Sequence, residues 1–155
     1  MRRSGFSIIE MIIVIVMMGI IAVIGFPRIR RALDKTNVRS ARVFLGTAVA
    51  TARAAAVQRG CRGVVHFASG SGAAGKVWVT ACPRTSPGVG TIDTIGSVEQ
   101  LSARYNVTLT ANIDSIRYDP RGLSMDNSDV MVRIAGNTTT GHDSLLVNRI
   151  GKVVR

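Results

Sequence analysis

Arg2–Pro27 reads RRSGFSIIEMIIVIVMMGIIAVIGFP: two arginines, a Gly-Phe junction and then, from Met11 to Phe26, no charged residue. As an α-helix rising ~1.5 Å per residue, positions 6–26 extend roughly 31 Å, about the thickness of one hydrocarbon core. Glu10 interrupts this apolar run. A carboxylate within a membrane helix costs on the order of 2.5–3.5 kcal/mol by insertion scales and usually marks a partnered group. A secretory signal would carry its small-residue cleavage site after the apolar region and be discarded. Here Gly5 comes before it, so cleavage after Gly5 leaves the hydrophobic helix at the mature N-terminus.

Gly5-Phe6-Ser7-Ile8-Ile9-Glu10 closely resembles the prepilin processing motif of type IV pilins and type II secretion pseudopilins. The resemblance implies that a prepilin peptidase cuts between Gly5 and Phe6 and N-methylates the new Phe6 amine. It further implies that Glu10 pairs with the Phe6 amine of a neighbouring subunit, since two groups each costly alone in lipid become tolerable together. Residues 1–5 are then the leader and 6–27 a single-pass transmembrane and assembly helix in a bacterial inner membrane. Arg2 and Arg3 hold the N-terminus in the cytoplasm by the positive-inside rule, which puts the remainder in the periplasm and, after assembly, in a periplasmic or extracellular filament. Arg28, Arg30 and Arg31 fall on the far side, where phospholipid headgroups or neighbouring subunits are the expected contacts.

A chain of 155 residues leaves room for one long helix and one modest globular part, and none for a second enzyme domain. Aromatic residues are only 5%, so the core must be packed mainly with Val, Ile, Leu and Ala. The formal net charge of +11 suggests a polyanion partner until its distribution is read. Between Pro27 and Gly60 stand Arg28, Arg30, Arg31, Lys35, Arg39, Arg42, Arg53 and Arg59 against Asp34 alone. After Gly60, ten Lys or Arg face seven Asp or Glu, a surplus of three, and the C-terminal part is only mildly basic.

Pro27 sits where the anchor meets the soluble part of the spine, residues 28–60, and is expected to kink the helix there. Ala41, Leu45, Ala48, Ala52 and Ala55 follow three- and four-residue steps down one face, small enough for a sheet to approach closely, and Gly60 is a stop signal. Beyond it, residues 61–155 change period. Strands are predicted at 62–67 and 76–82, joined by a flexible Gly-rich turn at 68–75, then at 105–111, 113–118, 130–134, 144–148 and 152–155. Residues 82–97, with two prolines, are expected to be an irregular loop. The predicted fold class is α+β, a long N-terminal helix packed on a small antiparallel β-sheet head.

Within the pilin-like proteins, three stretches resemble the GspH/FimT group, which comprises type II secretion protein H and related minor pilins. They are Ala52-Arg53-Ala54-Ala55-Ala56-Val57-Gln58-Arg59-Gly60, Ile116-Arg117-Tyr118-Asp119-Pro120-Arg121-Gly122 and Ile150-Gly151-Lys152-Val153-Val154-Arg155. The resemblance implies a non-catalytic minor pseudopilin or minor pilin near a filament tip, with other pilin subunits, the prepilin peptidase and the inner membrane as partners. The alternative is a DNA-binding minor pilin serving DNA uptake, its contacts being Arg149, Lys152 and Arg155 with Arg121 nearby. The C-terminal stretch departs from the glycine-arginine pattern of DNA-binding members, having Lys152 in place of arginine and an extra valine before Arg155, so the assembly role ranks first.

Under a periplasmic topology Cys61 and Cys82 lie in an oxidising compartment and are expected to form a disulfide, two buried thiols being the alternative. No cofactor or metal is expected: His66 and His142 are isolated from any ligand-spaced cluster. His142-Asp143-Ser144 contains the residue types of a hydrolase triad, but adjacent residues rarely converge, and a polar turn is expected. Asp126-Asn127-Ser128-Asp129 lacks the length and terminal Glu of a calcium loop and reads as a turn. Trp78 is expected to pack into the core.

Overall fold

The computed structural model describes residues 7–83, 92–138 and 141–154. The chain divides into two compact units, 1–33 and 34–155. One helix, α1 (Ile8–Arg59), supplies all the described structure of the first unit and opens the second, continuing through Pro27. Gly60, in the left-handed conformation at φ 63°, ends it. The Cys61 N–H reaches back to the Ala56 carbonyl at 3.2 Å, the long bond of a Schellman cap that satisfies an otherwise orphaned carbonyl.

In the second unit α1 buries Val38, Ala41, Leu45, Ala48, Val49, Ala52, Ala55 and Ala56, which contains the whole alanine-leucine stripe expected from the periodicity. Against it stand two antiparallel four-stranded sheets, so the fold is α+β with the strands partitioned between two sheets. The first has the order β3-β2-β1-β5, from β1 (Gly63–Ala68), β2 (Lys76–Ala81), β3 (Asp93–Glu99) and β5 (Ser115–Tyr118). The second has the order β4-β6-β7-β8, from β4 (Thr108–Ala111), β6 (Val130–Ala135), β7 (His142–Val147) and β8 (Val153–Val154). Alternate residues turn inward, as period-2 strands require: Val65 and Phe67 on β1, Ile116 and Tyr118 on β5, Val130, Val132 and Ile134 on β6, and Leu145 and Val147 on β7.

Three expectations need correction. The segment read as an irregular loop through Ser97 contains most of β3, whose largely exposed residues and register shift opposite Val77 and Val79 leave no alternation to detect. A short helix, α2 (Leu101–Tyr105), was not anticipated, and the strand expected to begin at Tyr105 starts only at Thr108 because Asn106 ends α2 with φ 52°. The Gly-rich turn is held in place: Gly70 exchanges both backbone hydrogen bonds with Leu109, and Ser102 of α2 donates to the carbonyls of Gly70 and Gly75.

Candidate functional site

In the first unit, the described residues from Ser7 to Leu33 are exposed, apart from the partly covered Gly25. Ile8 is 82% exposed, Val23 75% and Ile21 69%. A contiguous apolar surface of this size is a site for lipid or for other apolar helices, not for water. Glu10 lies in the first turn of α1, where the helix dipole favours a negative charge. Gly5, Phe6 and the leader arginines lie outside the described residues. At the other end of the apolar run the Arg30 guanidinium sits over the Phe26 ring, 5.1 Å from its centroid.

In the second unit the polar chemistry is internal. Asp34 is buried at 7% exposure and accepts from the Asn137 N–H at 2.9 Å, the Thr138 N–H at 3.1 Å and the Thr138 hydroxyl. Gly136 and Gly141 flank this clasp, and a Cβ on either would come within 2.4 Å of an Asp34 oxygen, so glycine is what lets the β6–β7 loop close on the carboxylate. Burial alone raises the pKa of Asp34, but the bonds from Thr138 and Asn137, with the His142 charge, outweigh it and hold the carboxyl below its ordinary value. Sequence reading counted Asp34 only as a charge; its place within the spine helix, in phase with Val38 and Ala41, was the available signal.

Cys61 and Cys82 join the end of α1 to the residue after β2, with Cα atoms 6.3 Å apart and sulfurs bonded. Arg59 bonds the Cys82 carbonyl and pairs with Asp93 at 3.1 Å, fastening the start of β3 to the same corner. The fully buried Tyr118 donates its hydroxyl to the Gly151 carbonyl at 3.1 Å, and burial pushes its phenol up to about 12. Two stretches singled out in the sequence, around Tyr118 and Gly151, thus meet as a brace for the β7–β8 hairpin.

Arg149 and Lys152 are both exposed on that hairpin, and their backbone N–H groups bond the side chains of Asp129 and Asn148. Arg155 lies outside the described residues. Arg121 pairs with Asp119 in its own turn at 2.9 Å. Asp126 receives the Arg117 guanidinium and backbone N–H, which accounts for its burial without a metal ion. The His142-Asp143-Ser144 stretch is the first half of β7, not a turn, and Asp143 pairs with Arg42 at 3.1 Å. Trp78 is half-buried rather than part of the core, stacked on His66 with centroids 4.9 Å apart, while His66 Nε2 bonds the Thr80 hydroxyl.

The sequence pattern of the prokaryotic N-terminal methylation motif matches residues 1–26. The fold matches a crystal structure of the type IV minor pilin FimU of Pseudomonas aeruginosa with a TM-score of 0.58 at 13% identity, covering 77% of this chain and 87% of that one. The chain thus shares the fold of a type IV minor pilin and, at its N-terminus, the methylation motif. A second crystal form of FimU gives a TM-score of 0.51 at 12% identity, over 75% of this chain and 90% of that one. A comparison with curated proteins finds no match. At this identity the structural likeness establishes the fold alone, and the methylation motif is a match of sequence pattern over residues 1–26.

Proposed function

We propose that this pilin-like chain is a minor pseudopilin or minor pilin that assembles through its N-terminal helix into a type II secretion pseudopilus or a type IV pilus, near the tip, in keeping with the GspH/FimT group. The observation that carries the reading is the methylation motif over residues 1–26 joined to a helix whose apolar run is 0% buried by its own chain. A prepilin peptidase removes residues 1–5 and methylates Phe6. Residues 6–27 then span the inner membrane once, and Glu10 neutralises the Phe6 amine of a neighbouring subunit during assembly. The spine from 28 to 60 and the β-rich residues 61–155 face the periplasm, an oxidising setting in which the bond between Cys61 and Cys82 persists.

The test is maturation. Co-expression with a prepilin peptidase should shorten the parent by its five-residue leader and leave an N-methylated Phe6, read by intact mass. Gly5→Leu should remain full length, because the peptidase reads the small residue before the cut; normal processing of that variant would refute the assignment.

A further inference from the structure

β6 and β7 pair along their whole lengths, His142 to Val147 opposite Ala135 to Val130. On its other side β7 meets only β8, and β8 faces Leu146 and Val147 alone. The place opposite Leu145 falls to Arg155, outside the described residues, and His142 to Ser144 have no strand on that side among the described residues. At ~3.3 Å per residue these three form an open lane about 10 Å long. It adjoins a cavity of about 660 Å³ between β7 and α1, with Val43 and Leu145 among its apolar walls.

Asp143 occupies this lane from within. Its Oδ1 accepts the Ser144 N–H at 2.8 Å and its Oδ2 accepts Arg42 Nη1 at 3.1 Å. One inward-pointing charge is a common way to blunt a bare sheet edge, and edge protection alone would need no more than Asp143 and its partner. The cavity instead gathers Lys35, Arg39 and Arg42 on α1 against the single carboxylate of Asp143. Lys35 and Arg39 are exposed. The cationic excess beside an open strand edge selects the occupant: a main chain to pair with β7 and carboxylates to meet the arginines.

We propose that this groove receives an extended acidic segment of a neighbouring, different subunit, added beside β7 as a further strand of the second sheet. The inference rests on the assembly reading above and names the partner's chemistry. A carbonyl of the incoming strand takes the Ser144 N–H from Asp143, and its glutamate or aspartate side chains pair with Lys35 and Arg39. A second copy of this chain fits poorly. It carries a net charge of +11, and its Asp34, Asp93, Glu99, Asp119, Asp126 and Asp143 already hold partners of their own.

The test uses the full-length chain in nonionic detergent and a fluorescein-labelled nine-residue peptide alternating valine with glutamate, followed by anisotropy. We expect it to bind about tenfold or more tightly than the valine-lysine counterpart, and Lys35→Glu with Arg39→Glu to reverse that preference. Both substitutions are at exposed positions, and unchanged thermal unfolding shows that the fold is intact. N-methylating alternate peptide nitrogens along one edge should abolish binding, whereas the same change along the other edge should leave it within about twofold, since strand addition uses one edge only. Equal affinity for the two charge types, or equal tolerance of N-methylation on both edges, overturns strand addition. So does competition by duplex DNA or phosphatidylglycerol vesicles that the double variant removes while both N-methylated peptides bind alike, which would leave a general anion cleft. Leader cleavage is read on the same preparation. A matured chain that ignores the peptide fails the groove alone; an uncleaved chain that binds it fails the assembly reading alone.

Discussion

The apolar run of α1 and the packed part of the same helix are built from similar residues and reach opposite solutions. From Ile8 to Phe26 the large apolar side chains are exposed, and none of the described residues covers them. From Val38 to Ala56 a stripe of mostly smaller residues, Ala41, Leu45, Ala48 and Ala52, is fully or nearly fully buried. The first stretch is apolar around its circumference and needs a solvent other than water. The second is apolar on one face only and carries its own solvent, the inner faces of two sheets. The polar groups divide likewise. Among the described residues no buried side-chain nitrogen or oxygen lacks a partner, so the interior polar groups of the second unit are satisfied from within the chain. Glu10, by contrast, is exposed on an otherwise apolar segment and takes its partner from another molecule under the proposed function.

Replacing Glu10 is the largest perturbation of this contrast. Glu10→Val removes a charge that costs on the order of 2.5–3.5 kcal/mol when unpaired in lipid, so membrane insertion should persist or improve. Incorporation into filaments should fall by roughly the matching factor, on the order of a hundredfold, if the carboxylate is what recruits the neighbour's amine. Carbonate extraction measures insertion and sheared-filament blots measure incorporation. Parental incorporation of the variant would show that the open end of the helix is held by apolar contacts alone.

Truncating one large aliphatic side chain to alanine in each stretch sharpens the comparison. Leu45→Ala removes a fully buried side chain facing the sheets and should destabilise the second unit by about 2–5 kcal/mol in denaturant titrations. Ile21→Ala, at a position 69% exposed, should leave that transition unmoved. A loss of similar size from Ile21→Ala would mean that the apolar run is a buried core element and not a lipid-facing one.

Legibility in the sequence followed the same division. The apolar run, the motif at Gly5 to Glu10 and the alanine stripe are strong local patterns, and each was readable because its physical demand falls on consecutive or regularly spaced residues. Strands with one buried face, such as Val130 to Ala135, were readable for that reason too. β3 was not, because its residues are largely exposed and its pairing with β2 slips at Val77 and Val79. Neither was the Asp34 clasp, whose donors come from a loop more than a hundred residues away. The partition of the strands into two sheets is likewise long-range information.

A smaller effect tests that clasp. The folded pKa of Asp34 lies below its ordinary value of 3.8, so the stability it contributes is fully present above that value and disappears as pH falls through the folded pKa. Asp34→Asn should cost about 1–3 kcal/mol at neutral pH, by leaving the Thr138 and Asn137 donors weaker acceptors, and should flatten the loss of stability below pH ~4. Thermal unfolding of parent and variant between neutral and strongly acidic pH measures both. Parallel pH profiles would assign the acid sensitivity to other carboxylates, among them Asp119, whose pKa is also lowered, first by its bond from the Leu123 N–H.

The smallest expected effect separates assembly from nucleic-acid capture. If the C-terminal hairpin grips DNA, then Arg149, Lys152 and Arg155 supply the phosphate contacts, and their joint replacement by alanine should weaken duplex binding and flatten its salt dependence by about 0.9 log units per lost contact. Arg149 and Lys152 are exposed and solvated, and their turn is fixed by backbone bonds to Asp129 and Asn148 that the substitutions leave untouched. The greater excess of positive charge lies on the spine, from Arg28 to Arg59 against Asp34 alone. Any DNA binding by the purified chain should therefore arise mostly from those residues, which an assembled filament would partly cover. The triple alanine variant is expected to bind duplex within about twofold of the parent at physiological salt, because two or three solvated charges add little to a longer cationic run. A selective loss in that variant, with the spine intact, would instead make the hairpin a DNA contact and reverse the order of the two functions.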